Sequence, residues 1–181
     1  MKNKLIVLSG PSGVGKGTIA KILIENNQDI ALSISCTTRL PRPKEVNGRE
    51  YFFITKDEFL SKIQENGFIE YSEHFENYYG TPKDFVLEKL NDKHVLLEID
   101  VNGGLEVKKN FPEALLIMIA PPSIEELKRR LVGRNTESEE KINVRLQRIE
   151  YELSKKDLYD YVVINDKLPD AVSEIENIIK K

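Results

Sequence analysis

The sequence predicts an α/β fold in which a mostly parallel sheet is flanked by helices and interrupted once by an inserted α+β subdomain. Three observations predict it. Short, wholly apolar runs recur along the chain, stretches of helical periodicity lie between and after them, and the segment from about Thr37 to Asp92 breaks that rhythm with prolines and clustered aromatics. At 181 residues, 40% of them hydrophobic, the chain is long enough to bury one core and too short for two ordinary domains side by side.

The apolar runs are Leu5 to Leu8, Val95 to Ile99, Leu115 to Ala120 and Tyr161 to Ile164. Runs without polar alternation suit strands buried on both faces, as in a parallel sheet. Helical patterns open at Gly15, near Val101, after Ser123, after Thr136 and after Leu168. Ser123 with Glu126 and Thr136 with Glu139 each fit a capping box, in which side chains satisfy orphan backbone amides. In the helix after Thr136, Ile142, Leu146, Ile149 and Leu153 form one apolar stripe that leaves Arg145 and Arg148 free to face solvent or ligand. Within the interrupting segment, Thr55 and Glu58 cap a short helix, and another follows Pro82.

Lys and Arg sum to 27 against 30 for Asp and Glu, a formal net charge of -3. No overall basic field exists to hold a polyanion such as nucleic acid, so an anionic ligand must be gripped by local donors and a few placed cations. A single cysteine, Cys36, excludes an intramolecular disulfide and a Cys-rich zinc site and suits a reducing cytoplasm. The first apolar run is too short for a signal-peptide core, and no stretch reads as membrane-spanning. His74 and His94 show no clustering of the kind a metal site needs and are expected to be structural.

Ser9 to Thr18 reads S-G-P-S-G-V-G-K-G-T between an apolar strand and an amphipathic helix, the context that a phosphate-binding P-loop requires. Glycines at 10, 13, 15 and 17, with Pro11, Ser12 and Val14 between them, let backbone amides turn inward around phosphate oxygens at a helix N-terminus. Lys16 then supplies a point charge to the β and γ phosphates. Gly17 stands where the strict pattern has a hydroxyl residue and Thr18 follows it, which weakens direct ligation of Mg²⁺ by the loop. A glycine-rich turn of purely structural use is the competing explanation.

Downstream come T-T-R-x-P-R at 37–42, V-N-G-x-x-Y ending at Tyr51, F-I-E at 68–70, N-Y-Y-G-T at 77–81, E-I-D-V-x-G at 98–103, A-P-P-S at 120–123 and G-R-x-T-E at 133–137. With the P-loop, these ordered motifs resemble the guanylate kinase family over essentially the whole chain. The resemblance implies a P-loop NTPase fold with its core at 1–36 and 93–181, a GMP-binding subdomain at about 37–92 and a helical lid at about 133–148. It implies transfer of the γ-phosphoryl of ATP to GMP or dGMP with Mg²⁺ as cofactor. Arg39, Arg42, Tyr51 and Tyr79 would cradle the GMP phosphate, while Ser35, Glu70 and Thr81, helped by Asp100, would read the guanine. Arg130, Arg134 and Arg145 would neutralise charge on the transferring group, and Asn165 and Asp166 would lie near the adenine.

Physical chemistry supports several of these assignments and leaves alternatives for others. Guanidinium forks bind phosphate through paired charge-assisted hydrogen bonds, and a carboxylate beside a hydroxyl matches the donors on the guanine edge. Without the resemblance, R-x-x-R is an ordinary solvated loop feature, Glu70 the polar side of a strand, and Asn165-Asp166 a turn. Glu125, Glu126, Glu139 and Glu140 could equally pair the arginines into surface salt bridges. Glu98 and Asp100 end a buried strand, where P-loop enzymes place a metal-organising acid, and Asp100 is the first choice for that neighbourhood. A kinase of another nucleoside monophosphate and a non-catalytic phosphopeptide-binding module of guanylate-kinase type stay open at this point.

Overall fold

In the computed structural model, residues 3–74, 76–132 and 139–181 are described, together with their side chains except those of 130–143 and 145. The first half runs β1 (Leu5–Ser9), α1 (Lys16–Asn26), β2 (Ile30–Leu32), β3 (Cys36–Thr37), β4 (Phe52–Phe53), α2 (Lys56–Gln64), β5 (Phe68–His74), β6 (Asn77–Pro82) and α3 (Lys83–Leu90). The second half runs β7 (His94–Glu98), α4 (Val101–Asn110), β8 (Leu115–Ala120), α5 (Ile124–Val132), α6 (Glu139–Ser154), β9 (Tyr161–Ile164) and α7 (Leu168–Ile179). The main sheet has the order β2-β7-β1-β8-β9 with every pairing parallel. A second sheet, β4-β3-β6-β5, is mixed.

The main sheet is buried on both faces, and the two-residue period of a strand sorts its side chains between them. Ile6 and Leu8 of β1, Leu96 of β7 and Ile117 and Ile119 of β8 pack with Ile19 and Leu23 of α1 and Ile175 of α7. Leu5, Val7, Val95, Leu97, Leu116 and Met118 face the opposite way, against Val101 and Val107 of α4 and Val86 of α3. This double burial is why the strands read as continuous apolar runs. No helix among the described residues is long and apolar enough to cross a membrane.

Cap chemistry places the helix starts where the sequence puts them. The Thr55 hydroxyl accepts from the Glu58 amide while the Glu58 carboxylate accepts from the Thr55 amide, a complete capping box on α2. The Ser123 hydroxyl accepts from the Glu126 amide at 3.1 Å at the start of α5. Thr136 lies outside the described residues. Leu146, Ile149 and Leu153 of the expected stripe pack against Leu127 of α5 or against one another, so α6 lies on α5 as the spacing predicts. His94 is structural as expected, its Nδ1 accepting from the Lys4 amide at 2.9 Å.

The second sheet carries a core of its own. Phe59 of α2 is fully buried, stacked on Phe68 with ring centroids 4.3 Å apart and on Tyr78 at 5.3 Å, with Cys36 beside them. Cys36 therefore belongs with this second cluster, one residue earlier than the break at 37. Truncating Phe59 to alanine should cost about 3–5 kcal/mol, the usual range for emptying an aromatic from a packed core. Urea unfolding followed by tyrosine fluorescence checks this, and a loss below about 1 kcal/mol would contradict the packing.

Candidate active site

The parallel register of β1 with β7, which pairs Leu8 with Glu98, brings two chain segments to the same end of the sheet. One is the loop leaving β1 and the other is the pair of acids ending β7. Ligands gather at the carboxyl ends of strands in such sheets. The loop turns through Gly10, Gly13 and Gly15, whose φ values of 149°, 84° and 101° lie where side-chain-bearing residues are strained. Val14 is fully buried in the core and pins the loop from below.

Lys16 opens α1, and its ammonium folds back to donate to the carbonyls of Gly10 at 2.6 Å and Pro11 at 3.2 Å. Burial lowers its pKa, opposed by the carboxylates of Glu98, Glu152 and Asp100. An ammonium held only by loop carbonyls can exchange them for an anion. Ser12, Gly17 and Thr18 are open to solvent at this mouth. Gly17, the departure from the strict loop pattern, lies beside Glu98: a Cβ there would sit 3.3 Å from Glu98 Oε1. Of the two acids, Glu98 is thus the one beside the loop. Asp100, the first choice from the sequence, is also the N-cap of α4, its Oδ1 accepting from the Gly103 amide at 2.8 Å.

Across the sheet end, the second sheet walls a cleft of about 180 Å³. Glu70, Ser72 and His74 line it from alternate positions of β5, with Tyr79 beside Ser72 on β6 and with Ser35, Tyr51, Glu98 and Asp100 completing the lining. Glu70 is only 6% exposed, and the Thr81 hydroxyl donates to its Oε1 at 2.6 Å. Burial pushes the Glu70 carboxyl up to about 7, with Asp100 adding in the same direction against the Thr81 hydrogen bond. A Cβ on Gly103 would stand 3.2 Å from Glu70 Oε2, so the carboxylate lies close against the first turn of α4.

At the outer end of this cleft Arg39 is held before any ligand arrives. Its Nη2 donates to both oxygens of Glu45 at 3.0 Å and its Nη1 to the Leu40 carbonyl at 2.7 Å. The guanidinium lies 5.6 Å from the Tyr51 ring centroid, and the Tyr51 and Tyr79 rings meet edge to face at 6.0 Å. Glu45 also accepts from the Arg42 amide at 2.7 Å, while the Arg42 side chain is exposed. The structure therefore brings Arg39, Tyr51 and Tyr79 together, with Arg42 at the rim.

On the remaining side, Arg134 lies outside the described residues, as do the side chains of Arg130 on α5 and Arg145 on α6. Among the described side chains on this side, Arg148, to which the sequence gives no role, reaches the site with Nη2 3.7 Å from Asp100 Oδ2. His74, expected to be structural, has its Nε2 3.4 Å from the same oxygen. Asn165 is 7% exposed and donates from Nδ2 to the Val14 carbonyl at 2.8 Å. It braces the phosphate loop, whereas Asp166 is exposed. Arg148 is marked in the sequence only as lying off the apolar stripe of its helix, and Glu45 and Glu152 carry no signal, because a charged residue in a loop or on a helix looks alike whether or not the fold encloses it.

Residues 2–181 match the family model described as guanylate kinase. The chain belongs to the guanylate kinase family. Two similar curated guanylate kinases come from Clostridium acetobutylicum, 52% identical over 98% of this chain and 85% of the relative, and Prochlorococcus marinus, 50% identical over 98% of this chain and 97% of the relative. A crystal structure of guanylate kinase from Anaplasma phagocytophilum superposes with a TM-score of 0.77 at 33% identity, covering 98% of this chain and 85% of that one. The α/β architecture with a phosphate loop leading into α1 is that of this guanylate kinase neighbour.

The buried Glu70 of this guanylate kinase family member makes stability depend on pH in a defined sense. Its folded pKa of about 7 exceeds the ordinary 4.5, so between those values the native state holds the proton and the unfolded state does not. Stability contributed at this site is present below pH 4.5 and is lost as pH rises through about 7. Glu70→Gln should remove that component. Denaturation midpoints of the two proteins, measured from pH 5 to 8, should diverge in favour of the variant as pH rises, and parallel curves would contradict the shift.

Proposed function

We propose that this chain is an ATP:GMP phosphotransferase, moving the γ-phosphoryl group of ATP to GMP, or dGMP, to give ADP and GDP. The observation that carries the reading is the pairing of a buried, hydroxyl-supported carboxylate at Glu70 with a phosphate loop at the same sheet end. A carboxylate accepts from the N–H donors on the guanine edge, which adenine does not present in that pattern. Ser35 and Thr81 flank it, and Asp100 stands close enough to share the task. Arg39, Arg42, Tyr51 and Tyr79 would receive the acceptor phosphate, with Glu45 restraining Arg39 beforehand.

On the donor side, the amides of Gly10 to Thr18 and the N-terminus of α1 surround the triphosphate, and Lys16 exchanges its loop carbonyls for phosphate oxygens. Arg130, Arg134 and Arg145 are assigned to the transferring group on the strength of the family motifs, where cations offset charge spread over equatorial oxygens. Asn165 serves the donor site by bracing the loop, and Asp166 lies at the same strand end. The acceptor phosphate is already anionic, so alignment and charge neutralisation dominate and no general base is needed.

Among the described residues, no group of three or more His, Cys, Asp or Glu side chains is placed to hold a metal ion by itself. Mg²⁺ fits such a site, since it is held by one or two oxygen side chains together with phosphates and water. The Thr18 hydroxyl and the Glu98 carboxylate beside Gly17 would offer oxygen to the ion at the loop, and Asp100 would act through water. When bound, the ion neutralises charge on the β and γ phosphates.

A panel of GMP, dGMP, AMP and UMP in a coupled ADP-release assay tests the reading. GMP should be preferred by about a thousandfold or more in kcat/KM over AMP, because the wrong base leaves buried polar groups unpaired. Comparable turnover of AMP or UMP would point to another monophosphate kinase, and absent ATP binding with affinity for a phosphopeptide would point to a scaffold module. Lys16→Ala should lower kcat by at least about a hundredfold with GMP affinity changed little, as expected for a group that acts on the donor. Unchanged kcat would remove the loop from the mechanism.

A further inference from the structure

Past the residues already given roles, a line of charges runs along the open end of the sheet. On α6, Arg148 donates from Nε to Glu152 Oε1 at 3.1 Å, and its Nη2 lies 3.7 Å from Asp100 Oδ2. His74 of β5 approaches that same oxygen at 3.4 Å from the opposite wall. The other Asp100 oxygen is committed to the cap of α4. Glu152 is buried although charged, and it lies near enough to Lys16 to raise the ammonium's pKa, while Arg148 acts in the opposite sense. Signs therefore alternate from the phosphate loop to the acceptor cleft: Lys16, Glu152, Arg148, Asp100.

We propose that Arg148 is a positioning residue that couples the two substrate sites, its guanidinium shared between Glu152 on the donor side and Asp100 on the acceptor side. The proposal rests on the assignment of those sites to ATP and GMP. With the donor site empty, the Lys16 ammonium and Arg148 both balance Glu152, and Arg148 also engages Asp100. A triphosphate on Lys16 takes up that ammonium's charge and leaves Arg148 as the partner of Glu152. The guanidinium is drawn toward Glu152, and Asp100 Oδ2 is released to accept from guanine. Donor binding then strengthens acceptor binding, and by linkage the reverse holds equally.

Arg148 is 56% exposed, so solvent screens the pair and the coupling is modest, about three- to fivefold in affinity. Calorimetric titration of the full chain with GMP, alone and with a non-hydrolysable ATP analogue and Mg²⁺, measures it as a ratio of Kd values. Wild type should bind GMP about three- to fivefold more tightly with the analogue present. Arg148→Met, which keeps the side-chain length without the charge, should bring the ratio close to 1, and Arg148→Lys should fall between.

Glu152→Gln retains an acceptor for Arg148 Nε and removes the charge, so it too should collapse the ratio, which keeps the test decisive should Arg148→Met not fold. A residue that merely supports α6 would shift Tm and leave the ratio alone. An Arg148→Met or Glu152→Gln protein with the wild-type ratio overturns the proposal, as does a wild-type ratio of 1. Wild type that does not bind GMP at all would sink the assignment of the acceptor site instead, a result distinct from binding without coupling.

Discussion

The arrangement depends on the parallel register of β1 and β7. Because Leu8 lies opposite Glu98, the residues that follow each strand emerge side by side, and a phosphate loop and a pair of acids meet at one edge of the sheet. Burial on both faces enforces this register, since a slip of one residue would turn Ile6 and Leu8 toward α4 and Leu5 and Val7 toward α1. The exits lie close together: a Cβ on Gly17 would stand 3.3 Å from Glu98 Oε1, a tight contact with the end of that side chain.

The acceptor cleft depends on the main sheet for its floor and on a separate, smaller core for its walls. Phe59, Phe68 and Tyr78 hold β5 and β6 together, and the pairing of Glu70 with Thr81 across those strands supplies a hydroxyl to a carboxylate that burial would otherwise leave costly. Asp100 joins the two halves. It ends β7, caps α4, and meets His74 from the second sheet and Arg148 from α6. Arg39, already gripped by Glu45, pays part of its ordering entropy during folding rather than on binding.

Legibility in the sequence followed the physical range of each signal. The apolar runs, the capping pair Thr55 and Glu58, and the stripe of Leu146, Ile149 and Leu153 are local patterns, and each became the expected element. The strand ending at 98 begins at His94, one residue earlier than the apolar run, because backbone pairing with Ile30 extends past the apolar residues. Lys16 was legible from its place between a strand and a helix. The position of Asp100 at the end of a buried strand is legible, whereas its side-chain work as the cap of α4 depends on the Gly103 amide. Asn165 could be placed at a strand end, yet its hold on the Val14 carbonyl joins residues 151 positions apart.

By itself the sequence determined the alternation of strand and helix, the phosphate loop and the family, because these rest on spacing within a few residues and on motifs in a fixed order. Only the tertiary structure decided that Glu98 rather than Asp100 borders the loop, that Glu45 holds Arg39, and that Arg148, His74 and Asp100 share one contact. Those outcomes turn on which of many similar charged side chains becomes enclosed. Enclosure is settled by the packing of distant segments, for which the linear order of residues carries no local mark.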